Sequence, residues 1–90
     1  MSIVDNTARS RFEYLVEGHV AFINYRRTPG MIALTHAEVP PEIEGRGVGS
    51  HMAREVLDAI RASGEKVIPQ CSFVEAFIRR NPEYQDLLTK

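Results

Sequence analysis

A chain of 90 residues with 43% hydrophobic side chains holds enough apolar material for one core, so residues 1–90 are read as a single domain. Its 11 basic and 12 acidic residues leave a net charge of -1, which excludes the broad positive field that nucleic-acid binding needs. No apolar run is long enough to span a bilayer, the first ten residues lack a signal-peptide core, and the lone cysteine, Cys71, rules out an intrachain disulfide; the expectation is a soluble cytoplasmic protein in a reducing setting, with no membrane partner and no metal site.

The first half of the chain has the period of strands. Arg11 to Val16 alternates Phe12, Tyr14 and Val16 with Arg11, Glu13 and Leu15, and His19 to Tyr25 continues after the turn pair Glu17-Gly18, which predicts a hairpin. Thr28-Pro29-Gly30 marks a second turn. Met31 to Val39 reads as a third strand, with Ile32, Leu34, His36 and Glu38 on one face and Ala33, Thr35, Ala37 and Val39 on the other. Pro40-Pro41 ends it, because proline has no N–H for the ladder.

From Val48 the period becomes helical. Val48, Met52, Ala53, Val56, Leu57 and Ile60 form one apolar stripe, and Gly64 suits the left-handed residue that closes a helix. Lys66 to Pro69 reads as a short strand. Ser72-Phe73-Val74-Glu75 has the form of a capping box and predicts a second helix, ended by Asn81-Pro82, which open a last short helix through Leu88. The order β-β-β-α-β-α predicts an α/β (α+β) fold, a mixed, mainly antiparallel sheet with helices packed on its faces. The strand–helix–strand unit after Met31 is expected to be a parallel crossover.

Glu44-Gly45-Arg46-Gly47-Val48-Gly49-Ser50 lies between a strand and an amphipathic helix. Glycines let the backbone turn sharply and let a ligand approach without a Cβ in the way. The first amides of the helix lack intrahelical partners and point at an anion, aided by the helix dipole, and Arg46 adds a charge. The loop alone is also consistent with a plain turn. The pairs Arg26-Arg27 and Arg79-Arg80 read as solvated charge, with a phosphorylated ligand as the alternative.

In context, Val39-Pro40-Pro41-Glu42-Ile43-Glu44-Gly45-Arg46-Gly47-Val48-Gly49 resembles motif A of the GNAT acyl-CoA N-acetyltransferases, V-x-P-x-x-[Q/R]-G-x-G-x-G/A. Thr35-His36-Ala37-Glu38-Val39-Pro40, the glycine loop, and Ile68-Pro69-Gln70-Cys71-Ser72-Phe73 followed by Arg80-Asn81-Pro82-Glu83-Tyr84 extend the resemblance to a compact GNAT-like subgroup without the usual N-terminal helices. The resemblance implies that the amides of Arg46, Gly47, Val48, Gly49 and Ser50 cradle the pyrophosphate of coenzyme A. It implies that backbone near Val39 pairs with the pantetheine arm, and that the acyl thioester lies between the strands ending at Val39 and Pro69. Two positions depart from the pattern. Glu44 stands where Gln or Arg is usual, and Ile78 falls about where many members carry a tyrosine acid; Tyr84 is the other phenol to consider.

Three side chains are candidates for chemistry beside that thioester. Cys71 precedes the expected cap Ser72, and a helix N-terminus favours a thiolate, so it is either an acyl-accepting nucleophile or a buried structural cysteine. Glu38 is a candidate general base for an amine. His36 either shares that role or activates Cys71; solvated or structural positions are the alternatives for both. The function so implied is transfer of an acetyl group from acetyl-CoA to a primary amine of unknown identity, directly or through Cys71. The rival readings are a non-catalytic CoA- or acyl-CoA-binding or sensing module, and an interaction domain whose glycine loop is only a turn.

Overall fold

The computed structural model describes residues 3–88. Five strands form one sheet in the order β1 (Ile3–Asn6), β2 (Arg11–Val16), β3 (His19–Thr28), β4 (Met31–Glu38) and β5 (Lys66–Pro69). The first four pair antiparallel, and β5 lies parallel to β4. Helix α1 (Val48–Ser63) connects β4 to β5, and α2 (Ser72–Arg80) follows β5. Short 3-10 turns cover Thr7–Arg9, Pro41–Ile43 and Pro82–Leu87. This is the mixed, mainly antiparallel architecture that the hydrophobic periods predict, with the parallel crossover at the β5 edge of the sheet.

One strand escapes the sequence pattern. β1 has only Ile3 and Val4 as apolar residues, and Val4 is exposed. Long-range ties hold it: the Tyr25 hydroxyl donates to Asp5, and Arg27 bridges Asp5 (3.1 Å) and Glu65 (2.8 Å). Arg27 is thereby a structural cation, and Arg26 hydrogen-bonds Gln70 at 3.3 Å.

A single core fills one side of the sheet. Phe12, Tyr14, Ile23, Ile32 and Leu34 meet the stripe Met52, Ala53, Val56, Leu57 and Ile60 of α1, and Val74, Phe77 and Ile78 of α2. Each such fully buried aliphatic contributes about 1.5–3 kcal/mol relative to exposure. The helices therefore share one face, and the other carries Arg11, Glu13, Phe22, His36 and Glu38 beside exposed Val4, Leu15 and Val20.

A bulge in β4 changes the expected alternation. Tyr25 faces Leu34 while Asn24 faces His36, so Thr35 is an extra residue, and its hydroxyl donates to the Asn24 carbonyl (3.3 Å). Such an insertion bends the strand and resets which side chains face the core. Ile32 and Leu34 are fully buried, but beyond Thr35 it is Ala37 and Val39 that pack on the core, while His36 and Glu38 turn to solvent. The strict alternation expected from Ile32 to Glu38 thus breaks at Thr35.

The helix ends correct a second detail. Gly64 closes α1 in the left-handed conformation, as its position predicts. Ser72 does not cap α2. Cys71 occupies the cap position, its carbonyl accepts from the Glu75 amide (3.0 Å), and no side chain caps the helix. Glu75 instead pairs with Arg79 at 3.2 Å, one turn along. Asn81 closes α2, donating from its side chain to the Phe77 carbonyl at 2.8 Å, and also holds the cap position of the 3-10 turn after it, through its backbone carbonyl, which accepts from the Tyr84 amide at 3.0 Å.

Candidate functional site

The site is set where two parallel strands part. The β4–β5 ladder runs from Met31↔Lys66 to Leu34↔Pro69. One further backbone bond, from the Cys71 amide to the Leu34 carbonyl (2.9 Å), continues that seam. There the bulge at Thr35 bends β4 and α2 begins on the other side, so the chains separate. From His36 to Glu38, β4 keeps its partners on β3 and has no strand on the β5 side. Unpaired extended backbone of this kind is where an extended ligand chain can add itself like a strand.

The loop after β4 turns into α1 at the mouth of this gap. Ile43 is fully buried and Val48 nearly so, which pins the loop at both ends. Between them Gly45 and Gly47 have φ of +83° and +73°, a region that costs an L side chain strain. Gly47 caps α1 without a side-chain acceptor, and the first turn carries no acidic residue. The first helical hydrogen bond is His51 amide to Gly47 carbonyl (3.0 Å), so the amides of Val48, Gly49 and Ser50 have no intrahelical acceptor. Three amides at the positive end of a sixteen-residue helix make an anion site of the kind that phosphates occupy.

Gly49 has its own steric reason. A Cβ there would lie 3.0 Å from Phe73 Cζ and 3.7 Å from Val39 Cγ2. The first turn of α1 therefore packs directly on α2 and on the end of β4, bringing Val39, Gly49 and Phe73 together at one end of the gap. Phe73 is the member of this contact that the sequence motif does not single out. Glu44 stands before the cradle: its amide already bonds the Pro41 carbonyl (3.3 Å) and its side chain is exposed. Arg46 is exposed and ion-paired to Glu17 at 2.6 Å.

The three candidate chemical residues divide between two environments. Cys71 is 8% exposed, belongs to the core, and lies where β5 gives way to α2. His36 and Glu38 sit on the open face, with Nε2 and Oε2 at 2.8 Å, and the His36 ring rests near Phe22. His36 is therefore brought to Glu38 and not to Cys71. A carboxylate accepting from an imidazole N–H is a general-base arrangement, although an exposed one.

Tyr84 belongs to the scaffold. Its hydroxyl donates to Asp58 (2.8 Å) and accepts from Arg54 (3.2 Å), and burial followed by the Asp58 bond raises its pKa above the ordinary phenol value. Both partners lie well along α1 from the glycine loop. Ile78 is in the core. Under α2, on the β5 side, a cavity of about 300 Å³ is lined by Pro69, Glu75, Ile78, Arg79, Gln85 and Leu88. It shares Pro69 with the end of the seam. Among the described residues, no helix is long and apolar enough to cross a membrane.

Comparison with known proteins places this geometry. The family model described as GCN5-related N-acetyl-transferase matches residues 11–87. Protein NATD1 of Bos taurus is 31% identical over 52 residues, which are 58% of this chain and 46% of that protein. Protein NATD1 of Danio rerio is 30% identical over 56 residues, 62% of this chain and 51% of that protein. The matches thus span about half the length of these curated relatives. Among solved structures, the solution structure of a GCN5-like protein from Staphylococcus aureus superposes with a TM-score of 0.72 at 26% identity, covering 98% of this chain and 87% of that one.

Proposed function

The chain belongs to the GCN5-related N-acetyl-transferase family, and on that premise we propose that it takes an acetyl group from acetyl-CoA and passes it to a primary amine. The observation that carries this reading is the parting of β4 and β5 at Leu34, Pro69 and Cys71, beside the uncapped N-terminus of α1. A nucleotide-linked thioester needs an anion site, an extended channel for its arm and a reactive end. Gly45 to Ser50 suit the pyrophosphate, the free side of His36 to Val39 suits the pantetheine amides, and the head of the seam suits the acyl group.

In this reading the residues divide the work. The amides of Val48, Gly49 and Ser50, with Arg46, hold the phosphates, and Glu44 shapes the turn that presents them. Cys71 is the proposed acceptor of the acetyl group. Its sulfur attacks the acyl carbon, the carbon–sulfur bond to CoA breaks, and the CoA thiolate takes up the proton that the thiol loses. An amine then attacks the acetyl-cysteine, a carbon–nitrogen bond forms as the carbon–sulfur bond to Cys71 breaks, and the released cysteine thiolate takes up the proton that the amine loses. Direct attack by the amine is the other route: the carbon–nitrogen bond forms, the carbon–sulfur bond to CoA breaks, CoA leaves as its thiolate, and Glu38, steadied by His36, takes the amine proton. A cytoplasmic setting, where thiols stay reduced, is part of the same proposal.

The two routes separate in a single-turnover experiment. Acetyl-CoA is added without amine, and the protein mass is followed. An acetyl adduct on Cys71 that an amine panel then discharges supports the two-step route. No adduct, together with turnover that needs donor and amine at once, supports direct attack. CoA binding with no transfer to any amine favours a sensing or binding module, a reading encouraged by Ile78 filling the core and by Tyr84 being committed to Asp58.

A further inference from the structure

The β2–β3 turn is tied to the glycine loop by the Glu17–Arg46 ion pair, and His19 lies near Glu42 just before that loop. Glu17 Oε2 lies 2.6 Å from Arg46 Nη1, and His19 Nδ1 lies 3.9 Å from Glu42 Oε1. Glu17 and Gly18 form a two-residue turn in which both have positive φ, 50° and 81°. Asn, Asp and Gly are the residues that such a turn favours. A glutamate held there is strained, and an observed outlier of this kind points to a role elsewhere. Here its carboxylate spans from one end of the sheet to the cation of the proposed phosphate loop.

We propose that Glu17 is a positioning residue that holds Arg46 in the ligand-free protein and surrenders it to the phosphates of the bound nucleotide. The inference rests on the CoA-binding reading above. Arg46 lacks a second acidic neighbour among the described ion pairs, so its guanidinium has one partner to exchange. Two competing anions share one cation: the carboxylate keeps the side chain at the hairpin tip and opposes any ligand whose charge is too small to displace it. A pyrophosphate seated on the α1 amides brings more than one negative charge and wins the exchange. When it does, the hairpin tip loses its tie at Glu17, so the exchange also links nucleotide binding to the freedom of the β2–β3 turn. Glu17 touches no reacting atom in this scheme and acts through Arg46.

The test is calorimetric titration of CoA into the wild-type protein and into E17Q, R46Q and the double variant. The exposed pair opposes binding by the modest strength of such contacts, so E17Q is expected to bind about two- to five-fold more tightly. R46Q binds more weakly, and adding E17Q to R46Q changes nothing further. Should E17Q not fold, E17N, which suits the turn, carries the same expectation. The inference is overturned if the Glu17 variant binds CoA equally or less tightly, or if its gain persists in the R46Q background, which marks a general charge effect. A wild-type protein that binds no CoA overturns the parent reading and this one with it, whereas wild-type binding with no Glu17 effect overturns this one alone.

Discussion

The amide of Cys71 donates to the carbonyl of Leu34 over 2.9 Å, and this bond closes the β4–β5 seam at the point where the chains diverge. It uses backbone atoms only, so it survives a change of side chain. Cys71→Ala is expected to keep CoA affinity within about two-fold and to cost about 1 kcal/mol of stability for the small buried volume removed. Acetyl transfer should fall by orders of magnitude if the sulfur carries the group. Titration calorimetry and a coupled thiol-release assay check the two halves separately.

Gly47 offers a backbone prediction. A Cβ there meets only His51, at 3.7 Å, which is ordinary contact, but φ is +73°. Gly47→Ala should therefore cost about 1–2 kcal/mol through strain rather than clash. Relief of that strain turns the α1 amides away, so CoA affinity is expected to fall at least about ten-fold. Thermal unfolding and calorimetry on the same sample read both effects.

This residue also shows how far sequence carries. The glycine loop, the stripe of α1, the β5 span and the close at Gly64 are local patterns with fixed periods, and each is legible one segment at a time. The bulge at Thr35 is not. It depends on which β3 residue faces Leu34 and which faces His36, a register relation between two strands. Without it, His36 and Glu38 are read on the same face as Leu34, and an encounter of His36 with Cys71 looks natural. β1 carries no local signal for a related reason: Asp5 is held by Tyr25 and Arg27, which lie far off in sequence. The cap of α2 falls one residue before the serine of the capping-box pattern, at Cys71, whose amide is held by Leu34 across the sheet.

Tyr84 makes a test of scaffold against chemistry. Its phenol is held neutral by burial and by Asp58, so it should titrate above its ordinary value of 10.0. A group whose pKa rises on folding stabilises the fold below its unfolded pKa, and that stability is lost as pH rises through the folded value. Tyr84→Phe is expected to remove this alkaline component, lower stability by about 1 kcal/mol and leave acetyl transfer near wild type. A large loss of transfer with unchanged stability would instead make Tyr84 the acid.

Two arginine–carboxylate pairs give the fold an acid limb. Arg61 donates to Asp86 and holds its pKa below 3.8, the ordinary value, and the Arg11 bond does the same for Glu13 relative to 4.5. Depressed carboxylates stabilise the fold above their unfolded pKa, and the contribution is lost as pH falls through the lower, folded value. Stability is therefore expected to decline below about pH 4.5, with Asp86→Asn flattening part of that limb. Unfolding midpoints measured at a series of pH values decide it.

His36 and Glu38 give the direct route its own signature. If Glu38 takes the proton from the amine, Glu38→Gln should lower acetyl transfer by about 100-fold or more, and His36→Gln should retain part of the rate. Transfer rates unchanged in both variants would leave the pair without a part in the reaction.

In the proposed complex, nucleotide and arm lie along the glycine loop and the free side of β4. Amide chemical shifts followed during titration with CoA report on this placement residue by residue. The expected result is saturable perturbation concentrated at Arg46 to Ser50 and Thr35 to Val39, with the Cys71 amide affected as its seam responds. Perturbation confined to the cavity lined by Glu75, Arg79 and Gln85, or no perturbation at all, would contradict it.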